Sequence, residues 1–275
     1  MLRPSNKELE ALLSQAGSYA KLGVALGVSK ATAYRWCKDG EVGPPVEEVL
    51  SCGKGNVLAL PDLHAPFHDW KALEWAASLI NTYNITKVIQ LGDITDSYAW
   101  SRWGKDTDAE SPQKEFDKLR IAMHRIQELF PQLTIVVGNH DTRMLARATD
   151  SGIPSDLLKG LNELFPFEGW DWHLKRGKPF IHNGIAYLHG DELAGGLNTA
   201  LAAERLGMSV VYGHTHQGRL MYSQSCIEER FGMQCGCLID TEAYSMRYAK
   251  LNANKVWKGV GIILDGVPHL IPYRG

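Results

Sequence analysis

Five short apolar runs in this chain each lead directly into residues of the kind that hold metal ions. The runs Val57 to Leu60, Lys87 to Leu91, Leu133 to Val137, Ile185 to Leu188 and Ser209 to Tyr212 are rich in Val, Ile and Leu, and each reads as a buried strand. After them come, in order, Asp62 and His64, Asp93, Asn139 with His140, His189, and the pair His214 and His216. In open α/β sheets ligands sit at the carboxyl ends of the strands, so residues just past five strand ends converge although they lie far apart in sequence. The pattern confines the chain to an α/β fold with one polar centre, and the residue types point to hydrolytic metal chemistry.

The order from Gly55 onward alternates strand and helix, with helices predicted from Trp70 to about Asn81 and from about Gln113 to Phe130. Such alternation argues for parallel strands and right-handed crossovers. In the second helix Phe116, Leu119, Met123, Ile126 and Phe130 recur at helical spacing and read as a core face. After Gly152 further strands are predicted around Phe180 to His182, Gln234 to Ile239 and Val260 to Leu264, which makes a mixed, two-sheet arrangement. With 275 residues and 44% hydrophobic content, there is room for a main domain and a small appendage.

The appendage lies at the amino terminus. Residues 6 to 40 read as helices over Asn6 to Gln15, Ser18 to Leu26 and Ser29 to Lys38, with Gly27 in the turn and Ser29 as an N-cap. Gly40 stops the last helix, a short helical turn is expected around Glu47 to Leu50, and Pro44, Pro45, Gly53 and Gly55 mark a linker. The boundary is placed near Cys52, giving domains 1–52 and 53–275. Residues 1 to 45 carry six Lys or Arg against four Asp or Glu, so with a net charge of −2 the remainder stands at about −4, which suits a cation site.

No apolar stretch approaches the roughly 20 residues that span a bilayer, and Met1 to Ser14 lacks the apolar core of a secretory signal. The expectation is a soluble, cytoplasmic protein with no membrane partner, in a bacterial or phage-infected cell. The five cysteines, Cys37, Cys52, Cys226, Cys235 and Cys237, show no paired C-x-x-C spacing and read as reduced thiols, Cys235 and Cys237 as packing beside a strand.

For the polar centre, imidazole nitrogen and carboxylate oxygen suit divalent transition metals, and Asp93 is the best candidate to bridge two ions. Asp62 and His64 alternate in what reads as an extended segment and so point to one side. His214 and His216 share that spacing, one for each ion, and Asn139 offers an amide oxygen.

The quoted segments, Asp62-Leu63-His64, Gly92-Asp93-Ile94-Thr95-Asp96, Gly138-Asn139-His140-Asp141, His189-Gly190 and Gly213-His214-Thr215-His216, resemble the calcineurin-like metallophosphoesterase superfamily motif for motif across about residues 56 to 220. The resemblance implies a four-layer α/β/β/α sandwich of two mixed sheets. It also implies one metal on Asp62, His64, Asp93 and His216, and a second on Asp93, Asn139, His189 and His214. Mn²⁺ is the first expectation, with Fe²⁺ and Zn²⁺ accepted by the same donors. The implied chemistry is in-line attack on phosphorus by a metal-activated hydroxide, with His140 assisting the leaving oxygen. Asp141 is a candidate to hold the other nitrogen of His140. Asp96 and Asp191 are candidates to orient ligands, or to act only as caps or surface groups.

Departures from the family bear on substrate. The protein-phosphatase branch carries Arg-Gly after the second motif, where this chain has Ser97 and Tyr98. The stretches Ser97 to Asp108 and Gly138 to Arg143 are instead similar to phage-encoded and bacterial members near the DNA-repair exonuclease branch. There Arg143 is a candidate to clamp a substrate phosphate, or else to cap a helix or pair on the surface. Trp100 and Trp103 either stack a base or pack under a lid. His68, His124, His173, His182 and His269 read as structural.

The segment from Ala16 to Pro45, with Leu26-Gly27-Val28-Ser29 and Tyr34-Arg35-Trp36, resembles Cro-type helix-turn-helix repressors. The resemblance implies a helix entering the major groove, with Lys30, Thr32, Arg35 and Lys38 as DNA contacts. A docking or dimerisation module is the alternative. Few basic contacts bind DNA weakly, so a homodimer or a second contact from the catalytic domain is expected to add affinity. The leading expectation is a two-metal phosphodiesterase acting on nucleic acid, as a DNA nuclease. Its rivals are a small-nucleotide or cyclic-nucleotide phosphoesterase, and a DNA-binding regulator with a vestigial phosphoesterase fold.

Overall fold

The computed structural model describes residues 4–16, 19–26, 28–29, 32–33, 36–37, 55–102, 105–193, 199–224, 228–245 and 256–275. The chain divides into two compact units, Met1–Cys52 and Gly53–Gly275.

In the small unit, α1 (Asn6–Ala16) and α2 (Tyr19–Leu26) are followed by helical residues Thr32, Ala33, Trp36 and Cys37. Ser5 and Glu8 form a reciprocal cap at the start of α1: the Ser5 N–H donates to Glu8 Oε2 at 2.9 Å and the Glu8 N–H to Ser5 Oγ at 3.4 Å. Leu9 and Leu13, one helical turn apart, pack with Leu22, Ala33 and Cys37 into a closed apolar cluster, with Val28 and Trp36 against it. Ser29 caps the next helix, its Oγ accepting the Thr32 N–H at 3.1 Å. Thr32 is half-buried, while Gly27, Lys30, Arg35 and Lys38 lie outside the described residues.

The large unit holds two sheets. A six-stranded sheet runs in the order β11-β10-β1-β2-β3-β4 and a five-stranded one in the order β5-β6-β7-β9-β8. The strands are β1 (Asn56–Leu60), β2 (Ile85–Gln90), β3 (Leu133–Val136), β4 (Trp170–His173), β5 (Phe180–His182), β6 (Ile185–Leu188), β7 (Ser209–Tyr212), β8 (Gly218–Gln224), β9 (Glu229–Cys235), β10 (Gly259–Leu264) and β11 (Val267–Pro272). Strands β1 to β4 pair in parallel, as do β6, β7 and β9, whereas β10, β11, β5 and β8 join antiparallel.

The two-residue period of a strand decides which layer each side chain enters. From β1, Val57 and Ala59 face Ile185, Tyr187, Val211 and Met233 of the other sheet, while Leu58 and Leu60 join the core under the helices. Two long helices cover that outer face: α3 (Trp70–Thr82), capped by Asp69 Oδ1, and α4 (Pro112–Leu129), capped by Ser111 with Pro112 in its first turn. Leu119, Met123 and Ile126 of α4 are buried as its periodicity predicts. On the far face of the second sheet Ala186, Leu188, Val210 and Tyr212 pack under α7 (Thr199–Leu206) through Ala202 and Ala203. The order is helix, sheet, sheet, helix. Two shorter helices, α5 (Arg143–Asp150) and α6 (Leu161–Leu164), complete the described helices. Among the described residues no helix is long and apolar enough to cross a membrane.

Candidate metal centre

Every expected ligand sits in the loop that leaves a parallel strand: Asp62 and His64 after β1, Asp93 after β2, Asn139 after β3, His189 after β6, and His214 and His216 after β7. Three groups of side chains converge there, with ligand atoms within 4.8 Å of one another: Asp62, His64 and His216; Asp93, His189 and His214; and His64, Asp96 and His140. His216 Nε2 lies 3.0 Å and His64 Nε2 3.8 Å from Asp62 Oδ2. His189 Nε2 lies 3.2 Å from Asp93 Oδ2, 2.9 Å from Asn139 Oδ1 and 3.2 Å from His214 Nδ1. Asp93 Oδ2 is also 3.6 Å from His64 Nε2, so this carboxylate stands between the first two groups.

Backbone conformation aims these side chains. His64, Asp93, His214 and His216 all take positive φ, at 53°, 52°, 69° and 55°. The left-handed turn at His64 corrects the extended segment expected from Asp62 to His64. The Leu63 and His64 N–H groups both donate to Asp93 O, at 3.1 and 2.9 Å, and this curl brings His64 back toward Asp62. Two glycines permit the close approach. A Cβ at Gly138 would overlap Asp93 Oδ1, and one at Gly213 would overlap Asp62 Oδ1. Asp62 Oδ1 accepts the His214 N–H at 3.0 Å and Asp93 Oδ1 the His140 N–H at 2.8 Å.

The imidazoles are anchored from behind. His189 Nδ1 donates to Leu91 O at 3.0 Å, which turns Nε2 toward Asp93 and Asn139. His64 Nδ1 is fixed in the same way on Asp96 Oδ1 at 2.8 Å. Burial opposes ionisation of Asp62 and Asp93, yet the surrounding imidazoles hold both carboxyls below the usual carboxylate range. Burial likewise disfavours the charged form of His189, but Asp93 and Asp62 push it up to about 10. The centre therefore demands positive charge. Among the described residues Asp62 Oδ2 and His64 Nε2 are buried without a hydrogen-bond partner, the state of atoms that await a cation. The His and Asp clusters could bind two divalent metals.

A model of the calcineurin-like phosphoesterase family matches residues 55–218. The chain belongs to this family. Among relatives of this phosphoesterase, the Gene 54 protein of Mycobacterium phage L5 is 28% identical over 181 residues, covering 59% of this chain and 69% of that protein. The metallophosphoesterase from Sphaerobacter thermophilus aligns with 81% of this chain and 90% of its own, at 16% identity and a TM-score of 0.40. Yfce, a phosphoesterase from E. coli, aligns with 76% of this chain and 87% of its own, at 15% identity and a TM-score of 0.36.

One expectation for this phosphoesterase needs correction. Asp141 does not hold His140: its Oδ1 accepts the Thr95 N–H at 2.9 Å and hydroxyl at 3.0 Å, and its Oδ2 accepts the Gly138 N–H at 2.8 Å. Asp96 does so instead, with Oδ1 at 2.8 Å and its own carbonyl at 2.9 Å from His140 Nδ1. Asp191 pairs with Arg176 rather than with a ligand imidazole. Arg143 Nη2 lies 2.7 Å from His140 Nε2, and its Nη1 donates to Asp96 O at 3.1 Å. Trp103 lies outside the described residues. Cys37, Cys235 and Cys237 are buried thiols, with Cys235 in the core between the sheets.

Two positioning groups escaped the sequence. Gln90, fully buried at the end of β2, accepts the Gly92 N–H at 2.8 Å and donates to Gly92 O at 2.7 Å, bracing the turn that presents Asp93. A lone amide inside the run Val88-Ile89-Gln90-Leu91 was its signal. Glu115 interrupts the apolar face of α4 and accepts the Tyr98 and Ala99 N–H groups at 2.7 and 2.8 Å, holding the loop beyond Asp96.

Proposed function

We propose that the chain is a two-metal phosphodiesterase acting on DNA, with its amino-terminal unit delivering it to duplex. The observation that carries the hydrolytic part is Asp93 Oδ2, within 3.6 Å of both His64 Nε2 and His189 Nε2, one from each ligand group. Asp62, His64, Asp93 and His216 would hold one ion, and Asp93, Asn139, His189 and His214 the other. Mn²⁺ suits these nitrogen and oxygen donors, as do Fe²⁺ and Zn²⁺. Two bound divalent ions supply charge to the phosphoryl oxygens and acidify an attacking water.

The protein side of the reaction belongs to His140 and Arg143. Asp96 fixes the His140 ring through Nδ1, so Nε2 faces the centre, 3.9 Å from Asp93 Oδ2. His140 Nε2 accepts from Arg143 Nη2 at 2.7 Å, so it serves as the acid once the Arg143 fork turns to a phosphoryl oxygen and Nε2 takes up a proton, which it then gives to the leaving oxygen as the phosphorus–oxygen bond breaks. The Arg143 fork beside it steadies the charge that gathers on the phosphoryl oxygens. DNA as substrate is supported by the helix-turn-helix order of the first 40 residues, the Ser29 cap that starts its last helix, and the similarity to the DNA-repair exonuclease branch noted in the motif segments. A homodimer would present two such modules to one duplex and raise affinity.

The test is Mn²⁺-dependent cleavage of supercoiled plasmid and end-labelled linear DNA, beside bis-p-nitrophenyl phosphate, with Asp93→Asn as control. Cleavage of DNA by the parent and not by the control supports a nuclease, and its products separate nicking from end resection. Diester hydrolysis without DNA cleavage moves the substrate to small nucleotides. No hydrolysis with Mn²⁺, Fe²⁺ or Zn²⁺ leaves a regulator with an idle fold. Duplex affinity unchanged by removal of residues 1–52 would end the delivery role.

A further inference from the structure

Beside Asn139 a cleft of about 360 Å³ opens between α5 and the loop beyond Asp96, lined by Arg102, Arg143, Arg147 and Arg176. Two of these cations are already neutralised: Arg102 pairs with Asp150, and Arg176 with Asp191. Arg143 and Arg147, one helical turn apart on α5 and both half-buried, meet no carboxylate among the described residues. They spend their donors mainly on main-chain carbonyls, with Arg143 Nη2 also on His140 Nε2. Arg147 Nε donates to Trp100 O and its Nη2 to Ser101 O, each at 3.1 Å, while Arg143 Nη1 donates to Asp96 O. Arg147 Nη1 has no partner among the described residues, so the fork keeps donors for an incoming anion.

We propose that this cleft binds the phosphate adjacent to the scissile one along a nucleotide chain, so that the substrate is an oligonucleotide and not an isolated phosphodiester. The inference rests on the reading of the centre as a DNA phosphodiesterase and names where its substrate runs. Half-buried guanidinium groups without counter-ions create a field that a second phosphate satisfies, and their planar forks match phosphate oxygens in pairs. The wall of the cleft separates a nucleotide chain from inorganic polyphosphate. Trp100 lines this cleft and also a neighbouring pocket of about 420 Å³, whose lining by Phe116, Leu145 and Leu164 is apolar. An anion seated on the arginines thus has a flat apolar surface beside it, which suits a base and gives nothing to polyphosphate.

The test uses the Mn²⁺-loaded full chain and fluorescein-labelled phosphorothioate thymidylates carrying one to four phosphates, which resist cleavage and are too short to occupy a duplex-reading module. Binding is read by fluorescence anisotropy. The dissociation constant is expected to fall at least about tenfold from one phosphate to two or more, the size of one charge-assisted pair. In Arg147→Met this length dependence should collapse. Because Arg147 also holds the loop, Arg147→Lys serves as a second variant: it gives up the paired bonds to the Trp100 and Ser101 carbonyls but keeps the cation in the cleft, so it should retain most of the length dependence that Arg147→Met loses. Affinity independent of length in the parent, or equal weakening of every ligand in both variants, overturns the subsite. Inorganic tripolyphosphate competing as well as the three-phosphate thymidylate overturns the nucleotide assignment. Cleavage of unmodified strands in parallel separates the two readings: length-dependent binding without cleavage keeps the subsite and removes the hydrolytic role, whereas cleavage without length dependence does the reverse.

Discussion

Asp96 Oδ1 lies 2.8 Å from His140 Nδ1 and fixes the ring expected to serve the leaving group. The same oxygen stands 2.8 Å from His64 Nδ1, so one buried carboxylate orients the imidazoles of His64 and His140 together. Burial resists its ionisation, but the hydrogen bonds from His140 and His64 hold it well below the usual carboxylate range. Asp96→Asn should therefore lower metal affinity about 10–100-fold and turnover with it. His140→Ala should lower turnover about 10²–10⁴-fold while metal content stays full. Metal analysis beside kcat on bis-p-nitrophenyl phosphate checks both, and metal loss in His140→Ala would move that residue among the ligands.

Gly213→Ala should empty the first ligand group. Its Cβ would take the position of Asp62 Oδ1, so the carboxylate must swing away from His216 and His64. Metal affinity is expected to drop by at least about tenfold, in a chain that still folds. Full metal occupancy with an unchanged far-UV spectrum would show that Asp62 is free to re-seat.

Asp141→Asn should act on stability. Both oxygens of Asp141 accept N–H groups, from Thr95 and Gly138, so an amide would turn its NH₂ on one of those donors. The expected cost is about 1–3 kcal/mol, read from urea unfolding, with a smaller loss of turnover than in Asp96→Asn. A rate loss equal to that of His140→Ala with no change in stability would return Asp141 to the side of His140.

Glu115 gives the fold a pH dependence. Its ordinary value is 4.5; burial, with the Asp96 charge, raises it to about 7, against the hydrogen bonds from Ala99 and Tyr98. Between pH 4.5 and 7 the unfolded chain has released this proton and the folded chain still holds it. The stability Glu115 contributes is therefore complete below about pH 4.5 and is lost as pH rises to about 7, by about 1–3 kcal/mol. Glu115→Gln should flatten that part of the profile, while Asp141, raised to about 6, keeps a slope of the same sign. Urea unfolding of both proteins at pH 5 and 7.5 measures the difference, and identical differences would rule Glu115 out.

The centre was legible because its strands are. β1, β2, β3, β6 and β7 are covered on both faces, so each appears as a mostly apolar run, and the ligands follow within a few residues. The strands that went unseen are β4, β8 and β11, each at a sheet edge, and the strand expected over Gln234 to Ile239 lies earlier, as β9 over Glu229–Cys235, with Cys237 and Ile239 making only isolated bridges. β8, Gly218–Gln224, has no buried residue, and β4 reads Trp-Asp-Trp-His; neither needs an apolar run. α5 escaped because it has no side-chain cap and no buried residue, although it carries Arg143 and Arg147. The exchange of Asp141 for Asp96 shows another boundary. Adjacency in sequence favoured the neighbour of His140, whereas the loop after β2 folds over and offers a carboxylate 44 positions away.

The left-handed turns at His64, Asp93, His214 and His216 have an outcome for any attempt to improve this protein by selection. Each forces a side-chain-bearing residue into backbone space that glycine occupies freely, at a cost of roughly 1–2 kcal/mol. A library screened for abundance would enrich glycine and asparagine at these four positions, and a library screened for turnover would reject them. The two rankings would diverge most sharply in the loops after β1, β2 and β7, so a stabilised scaffold obtained without a functional screen would lose its chemistry there first.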